Sequence, residues 1–147
     1  MFQRLLVPVD GSNTSKLALQ AAIKLAKEQH AQLRVVSVVD EVNLNLETEH
    51  VMNEFVEAVR KSGRDILMQS AATVNAAGIH AETQLLEIET FGHHIADVIN
   101  DEAKRWSADL MVIGTHGRRG VRHLLLGSVA EKVVHIATVP VLLIRGK

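Results

Sequence analysis

The chain has 147 residues, 47% of them hydrophobic, with 16 basic against 17 acidic side chains, a net charge of −1 and no cysteine. That length suits one domain, expected over 1–147, with enough apolar content for a core and too much for disorder. The near-neutral balance leaves no field to draw in nucleic acid or an anionic membrane, three Phe, one Trp and no Tyr offer no base-stacking platform, and the missing thiols exclude disulfides and thiolate chemistry.

The opening MFQRLLVPVDG holds an apolar run too short for a signal peptide, and no run approaches the roughly 20 apolar residues of a membrane span. A soluble, cytoplasmic protein is the expectation.

The first strand is expected over Leu5 to Val9. Asp10-Gly11-Ser12-Asn13-Thr14 follows, where Ser12, Asn13 or Thr14 can cap a helix. Leu17, Ala18, Ala21, Ala22, Leu25 and Ala26 recur at helical spacing and set the apolar face of that helix. The second strand spans Leu33 to Val39. A polar loop, DEVNLNLE, leads into a long helix from about Thr48 to Ala77. In the third strand Ile79, Ala81, Thr83 and Leu85 alternate with His80, Glu82 and Gln84, which suits a half-exposed edge.

Phe91, Ile95, Val98, Ile99, Ala103 and Trp106 form one stripe of the third helix. Leu110 to Ile113 is the fourth strand. The last helix starts at Ser128, with Val129, Ala130, Val133, Val134 and Ala137 inward, and Pro140 to Ile144 is the fifth strand. Strands one, four and five are unbroken apolar runs, the pattern of strands covered by helices on both faces. The strand–helix alternation predicts a doubly wound α/β fold: an open five-stranded parallel sheet with right-handed crossovers.

Between strand four and the last helix runs GTHGRRGVRHLLLGS, Gly114 to Ser128, with four of the chain's nine glycines. In open α/β sheets ligands sit beyond the carboxyl ends of strands, where the strand order reverses. Glycine lets main-chain N–H groups approach an anion, and a helix amino end offers unpaired, partly positive N–H groups. Gly114, Gly117, Gly127 and Ser128 therefore resemble a phosphate cradle. The plainer alternative is that the glycines only turn the chain, and that Ser128 with Glu131 forms a capping box needing no ligand.

A P-loop is absent, since the one Gly-Lys is Gly146-Lys147, and VDGSNTS stands where a dinucleotide fingerprint would follow strand one. Asp10 has two readings: an ordinary turn residue before glycine, or a ligand of a ribose hydroxyl or of water on Mg²⁺. Arg118, Arg119 and Arg122 suit phosphate oxygens, but solvated loop arginines are commoner. Among eight histidines no pair has zinc-site spacing, so no metal site is expected; His116 is the one tied to the loop.

G-x-x-G, nine residues, then G-S fits Gly114, Gly117, Gly127 and Ser128. With ADLMVIGTHG before it, SVAEKVVHIATVPVLLIR after it and VPVDGS at the opening, the whole chain resembles the universal stress protein family. The resemblance implies strand order 3-2-1-4-5, ATP binding in members that keep the glycine motif, and a homodimer joined through the last strand.

On that order Asp10 and Gly114 become neighbours at the switch point. The resemblance puts Pro8, Val9 and Asp10 on the adenosine side and Val38 on the adenine. It runs Ile113, Gly114, His116 and Gly117 along the ribose and phosphates, and closes Gly127, Ser128 and Val129 over the phosphates. Strand five, with Val141 and Leu143, becomes a bare apolar edge that invites a second copy. The expected function is an ATP-binding regulatory module of the stress response, with Mg²⁺ as a possible companion ion. Slow ATP hydrolysis or autophosphorylation, and a nucleotide-free interaction protein, stand as alternatives; no obvious base accompanies Asp10 for fast turnover.

Overall fold

The computed structural model describes residues 1–40, 49–88, 90–116 and 127–146. Among these the elements run β1 (Arg4–Pro8), α1 (Asn13–Gln29), β2 (Gln32–Val39), α2 (Glu49–Ala76), β3 (Ala81–Glu87), α3 (Ile95–Trp106), β4 (Leu110–Gly114), α4 (Ser128–Ile136) and β5 (Val141–Ile144). The strands form one parallel sheet in the order β3-β2-β1-β4-β5, as expected.

Successive strand residues face opposite sides, so each central strand feeds two cores. On one side Leu5, Val7, Val35 and Val112 pack beneath α1 and α2, with Ala18, Leu19, Ala22, Leu67 and Val74. On the other Leu6, Val36, Met111 and Ile113 pack beneath α3 and α4, with Ile99, Ala103, Trp106 and Val133. β1 and β4 are buried along almost their whole length, which is why they read as continuous apolar runs.

Several sequence expectations are corrected. The inward face of α1 is Ser15, Ala18, Leu19, Ala22, Ile23 and Ala26; Leu17, Ala21 and Leu25 are half-buried flanks, because the helix is turned toward Leu19 and Ile23. Phe91 is 81% exposed and precedes α3 instead of extending its stripe. Val134 on α4 is 46% exposed, one position round from buried Val133. Thr83 is exposed, since an edge strand has one lightly covered flank. β5 is not covered on both faces: it ends the sheet, and Leu142 is 40% exposed.

At the amino ends of β1 and β2 a charged knot holds α3 down. Glu102 is buried and accepts from Arg34 Nη1 at 3.0 Å and from Arg105 Nη2 at 2.5 Å. Arg34 also pairs with Glu82. The guanidinium carbons of Arg4 and Arg34 lie 5.1 and 4.9 Å from the centre of the Trp106 ring, within cation–π range.

Candidate functional site

The carboxyl ends of β1 and β4 meet at the reversal of strand order, the usual place for a ligand in such a sheet. β1 pairs with β4 at Leu5–Leu110 and Leu6–Met111, and continuing that register brings Asp10 level with Thr115.

Beyond β1 the chain turns at once. Val9 extends the ladder, its N–H donating to Val36 O at 2.8 Å. Asp10 then closes an Asx turn, its Oδ1 accepting from Ser12 N–H at 2.9 Å. Gly11 sits at φ 84°, a conformation a side chain rarely tolerates. Of the three expected caps, Ser12 is the one used: its Oγ accepts from Ser15 N–H at 3.2 Å.

Beyond β4 the backbone runs against the start of α1. A Cβ on Gly114 would stand 2.9 Å from both the carbonyl carbon and oxygen of Thr14, so only glycine fits without a backbone shift. Thr14 Oγ1 donates to the carbonyl of His116. Thr115 N–H donates to Ile144 O at 2.9 Å, and its hydroxyl lies 3.0 Å from His116 Nδ1. The main chain leaving β4 is thus fixed by both α1 and β5.

α4 begins at Ser128 as expected, but its cap differs from the expectation. Its N-cap is Gly127, at φ −70° and ψ 162°, and Ser128 is already the first helical residue, exposed to solvent. The capping box centred on Ser128 does not form, because the serine stands one position too far along the chain. Gly127 carries no side chain to cap with. Its N–H donates to Thr115 O at 2.5 Å, which ties the amino end of α4 to the carboxyl end of β4 and removes that amide from the donor set. Among the described residues the N–H groups of Ser128, Val129 and Ala130 meet no acceptor. This uncapped helix start is a ready anion seat.

The expected residues divide by what they can offer. Pro8, Val9 and Ile113 have buried side chains, so their available groups are main-chain. Val38 and Val129 are half-buried at the margin of the α3–α4 core that contains Ile113. Asp10, Gly114 and His116 are half-buried at the carboxyl ends of β1 and β4. Gly117, Arg118, Arg119, Arg122, His123 and most of the DEVNLNLE loop lie outside the described residues. Thr14 and Thr115 are the participants that sequence reasoning missed; a threonine inside a helix start and one after a strand carry no motif.

A separate cleft of about 270 Å³ opens between α1 and α2, lined in part by Leu19, Gln20, Ile66, Ser70 and Thr73. It touches Val9 and Gly11 but lies on the α1–α2 face of the sheet. The α1 start beside it is capped by the Ser12 side chain, whereas α4 has no side-chain cap, so the carboxyl ends of β1 and β4 are the stronger candidate.

At the start of α3, the His94 N–H donates to Asp97 Oδ2 at 2.9 Å. That bond, with Lys132 at 3.9 Å and the neighbouring His93 and His94, holds the Asp97 carboxyl below the ordinary range for aspartate. Lys132 thereby links α4 to α3.

The model of the universal stress protein family matches residues 1–145. The chain belongs to the universal stress protein family. The universal stress protein YxiE of Bacillus subtilis (strain 168) is 35% identical over 153 residues, covering 99% of this chain and all of its own length. The crystal structure of a family protein from Burkholderia pseudomallei is 31% identical, with a TM-score of 0.77 over 97% of this chain and 96% of its own. A universal stress protein solved in complex with cAMP has a TM-score of 0.72 at 23% identity over 97% of each chain. That of Archaeoglobus fulgidus, solved with dAMP, reaches 0.69 at 24% identity over 97% of this chain and 98% of its own. At those identities the last two establish the shared universal stress protein fold alone.

Proposed function

We propose that the chain, as one nucleotide-binding α/β domain, holds ATP at the carboxyl ends of β1 and β4 and acts as a regulatory module of the stress response. The observation that carries this reading is the uncapped start of α4, whose Ser128, Val129 and Ala130 N–H groups are unspent among the described residues. Three converging main-chain donors at a helix amino end suit a polyphosphate better than a neutral ligand. The cAMP and dAMP held by two proteins of this fold support adenosine as the remainder.

Ser128 and Val129 then grip phosphate through the main chain. Gly127, its own amide spent, keeps a side chain out of the approach. Gly114, His116 and Gly117 run beside the ribose and phosphates, with Ile113 contributing main chain. Pro8 and Val9 border the adenosine side, and Val38 meets the adenine. Asp10 is oriented by its Asx turn, and a carboxylate accepts several bonds at once, so it serves a ribose hydroxyl or water on Mg²⁺. The exposed β5 edge, with Val141 and Leu143, joins a second copy into a homodimer, and the protein works in the cytoplasm.

Freshly purified protein, once denatured, is expected to release an adenine nucleotide identifiable by chromatography. Calorimetry with ATP provides the second arm. Gly127→Val places a side chain before the helix start at dihedrals valine adopts readily. Binding is expected to disappear while the melting temperature changes little. Undiminished affinity in that variant overturns the reading.

A further inference from the structure

We propose that Thr14 is a positioning residue for this site: its hydroxyl and backbone fix Gly114, Thr115 and His116 at the carboxyl end of β4 and, through them, the amino end of α4. The assignment rests on the nucleotide reading above, but its structural half stands by itself.

Three parts of the fold converge on this one residue. The Thr14 hydroxyl donates to the carbonyl of His116, at the carboxyl end of β4. The Thr14 backbone lies so near Gly114 that a Cβ there would stand 2.9 Å away. The Thr14 methyl would stand 2.8 Å from a Cβ on Gly146, just past β5. Because the Asp10 turn and the Ser12 cap directly precede Thr14, it joins the end of β1 to the end of β4.

His116 O held by Thr14 fixes the carbonyl two residues past the end of β4. Thr115, one residue back, is pinned by Ile144 and in turn accepts the Gly127 N–H. Thr14 therefore acts on the α4 amino end through Thr115 without touching a ligand itself. A ligand site needs its donors preorganised to a fraction of an ångström, and losing one anchor loosens several donors together.

Thr14→Val keeps shape, methyl and helix propensity while removing the hydroxyl; Thr14→Ser keeps the hydroxyl and removes the methyl. Amide hydrogen exchange on the ligand-free full chain is the first readout. Thr14→Val is expected to speed exchange at Thr115 and Gly127 about tenfold, the worth of one hydrogen bond, and Thr14→Ser to leave it near wild type. Calorimetry with ATP is the second: Thr14→Val is expected to weaken binding about tenfold while the melting temperature falls by only a few degrees, with Thr14→Ser close to wild type in both. Wild-type exchange in Thr14→Val, or the same acceleration in Thr14→Ser, overturns the positioning role. If the wild-type chain binds no ATP, the nucleotide reading fails, and the exchange arm still decides the role of Thr14.

Discussion

Gly114 shows how one residue carries both a packing and a functional argument. The absence of a Cβ lets the end of β4 approach Thr14, and this requirement exists with no ligand present. Glycine at this position is therefore weak evidence of binding by itself. The α4 start is stronger, because Gly127 leaves the first helical amides uncapped where a serine in its place would have capped them. A second residue-scale effect concerns acid. The Asp97 carboxyl is lowered chiefly by the His94 N–H, so its stabilisation is fully present above the unfolded aspartate range and is lost as pH falls through its folded value. Asp97→Asn is expected to lower the melting temperature at pH 7, and the gap from wild type should shrink as pH drops into the acid range below about 4. A gap that stays constant with pH would show that the carboxylate contributes no charge-dependent stability.

Among the elements, α2 sits close on the sheet because Gly63 is buried against it. A Cβ there would lie 2.7 Å from Leu85 Cδ1 and 3.5 Å from Val39 Cγ2. The nearest atom is the end of a half-buried, flexible side chain, so Gly63→Ala trades a small clash against about 1 kcal/mol of helix propensity. It is expected to fall within about 1 kcal/mol of wild type, whereas Gly63→Val overpacks and loses roughly 1–3 kcal/mol. Denaturant unfolding of both variants separates the two effects; equal stability of the valine variant would mean that α2 can lift without cost. Gly63 illustrates why the elements were legible in the sequence and their contacts were not. Strand–helix alternation and the apolar runs of β1 and β4 follow from burial, which composition records directly. Helix rotation does not: α1 has apolar residues around more than half its circumference, and the sheet selects Leu19 and Ile23 over Leu17 and Leu25. The stops of α1 at His30 and α3 at Ser107 are equally silent, since both adopt left-handed φ values of 54° and 60° without glycine. At the site the Gly114–Ser128 motif was visible, but the real N-cap lay one residue earlier than the serine signal, and the Thr14–His116 bond joins residues 102 apart.

For the molecule as a whole, the two ends of the sheet do different work. The amino ends are locked by Glu102, Arg34 and Trp106, while the carboxyl ends of β1 and β4 carry the uncapped helix start. Lateral edges divide as well: β3 is a seven-residue strand on one flank, and β5 has only four residues with Leu142 exposed. If β5 joins two copies, Leu142→Lys should convert the dimer to monomer in sedimentation equilibrium with little change in melting temperature, because that side chain contributes little to the monomer core. A wild-type monomer, or a variant that remains dimeric, excludes that interface.

The claim that the uncapped start of α4 seats a polyphosphate is tested most directly by amide resonances of the full chain during titration with ATP. The largest shifts are expected at Ser128, Val129 and Ala130, with smaller ones at Asp10 and Gly114. Shifts confined to Leu19, Ser70 and Thr73 in the α1–α2 cleft, or none at millimolar ATP, would contradict it.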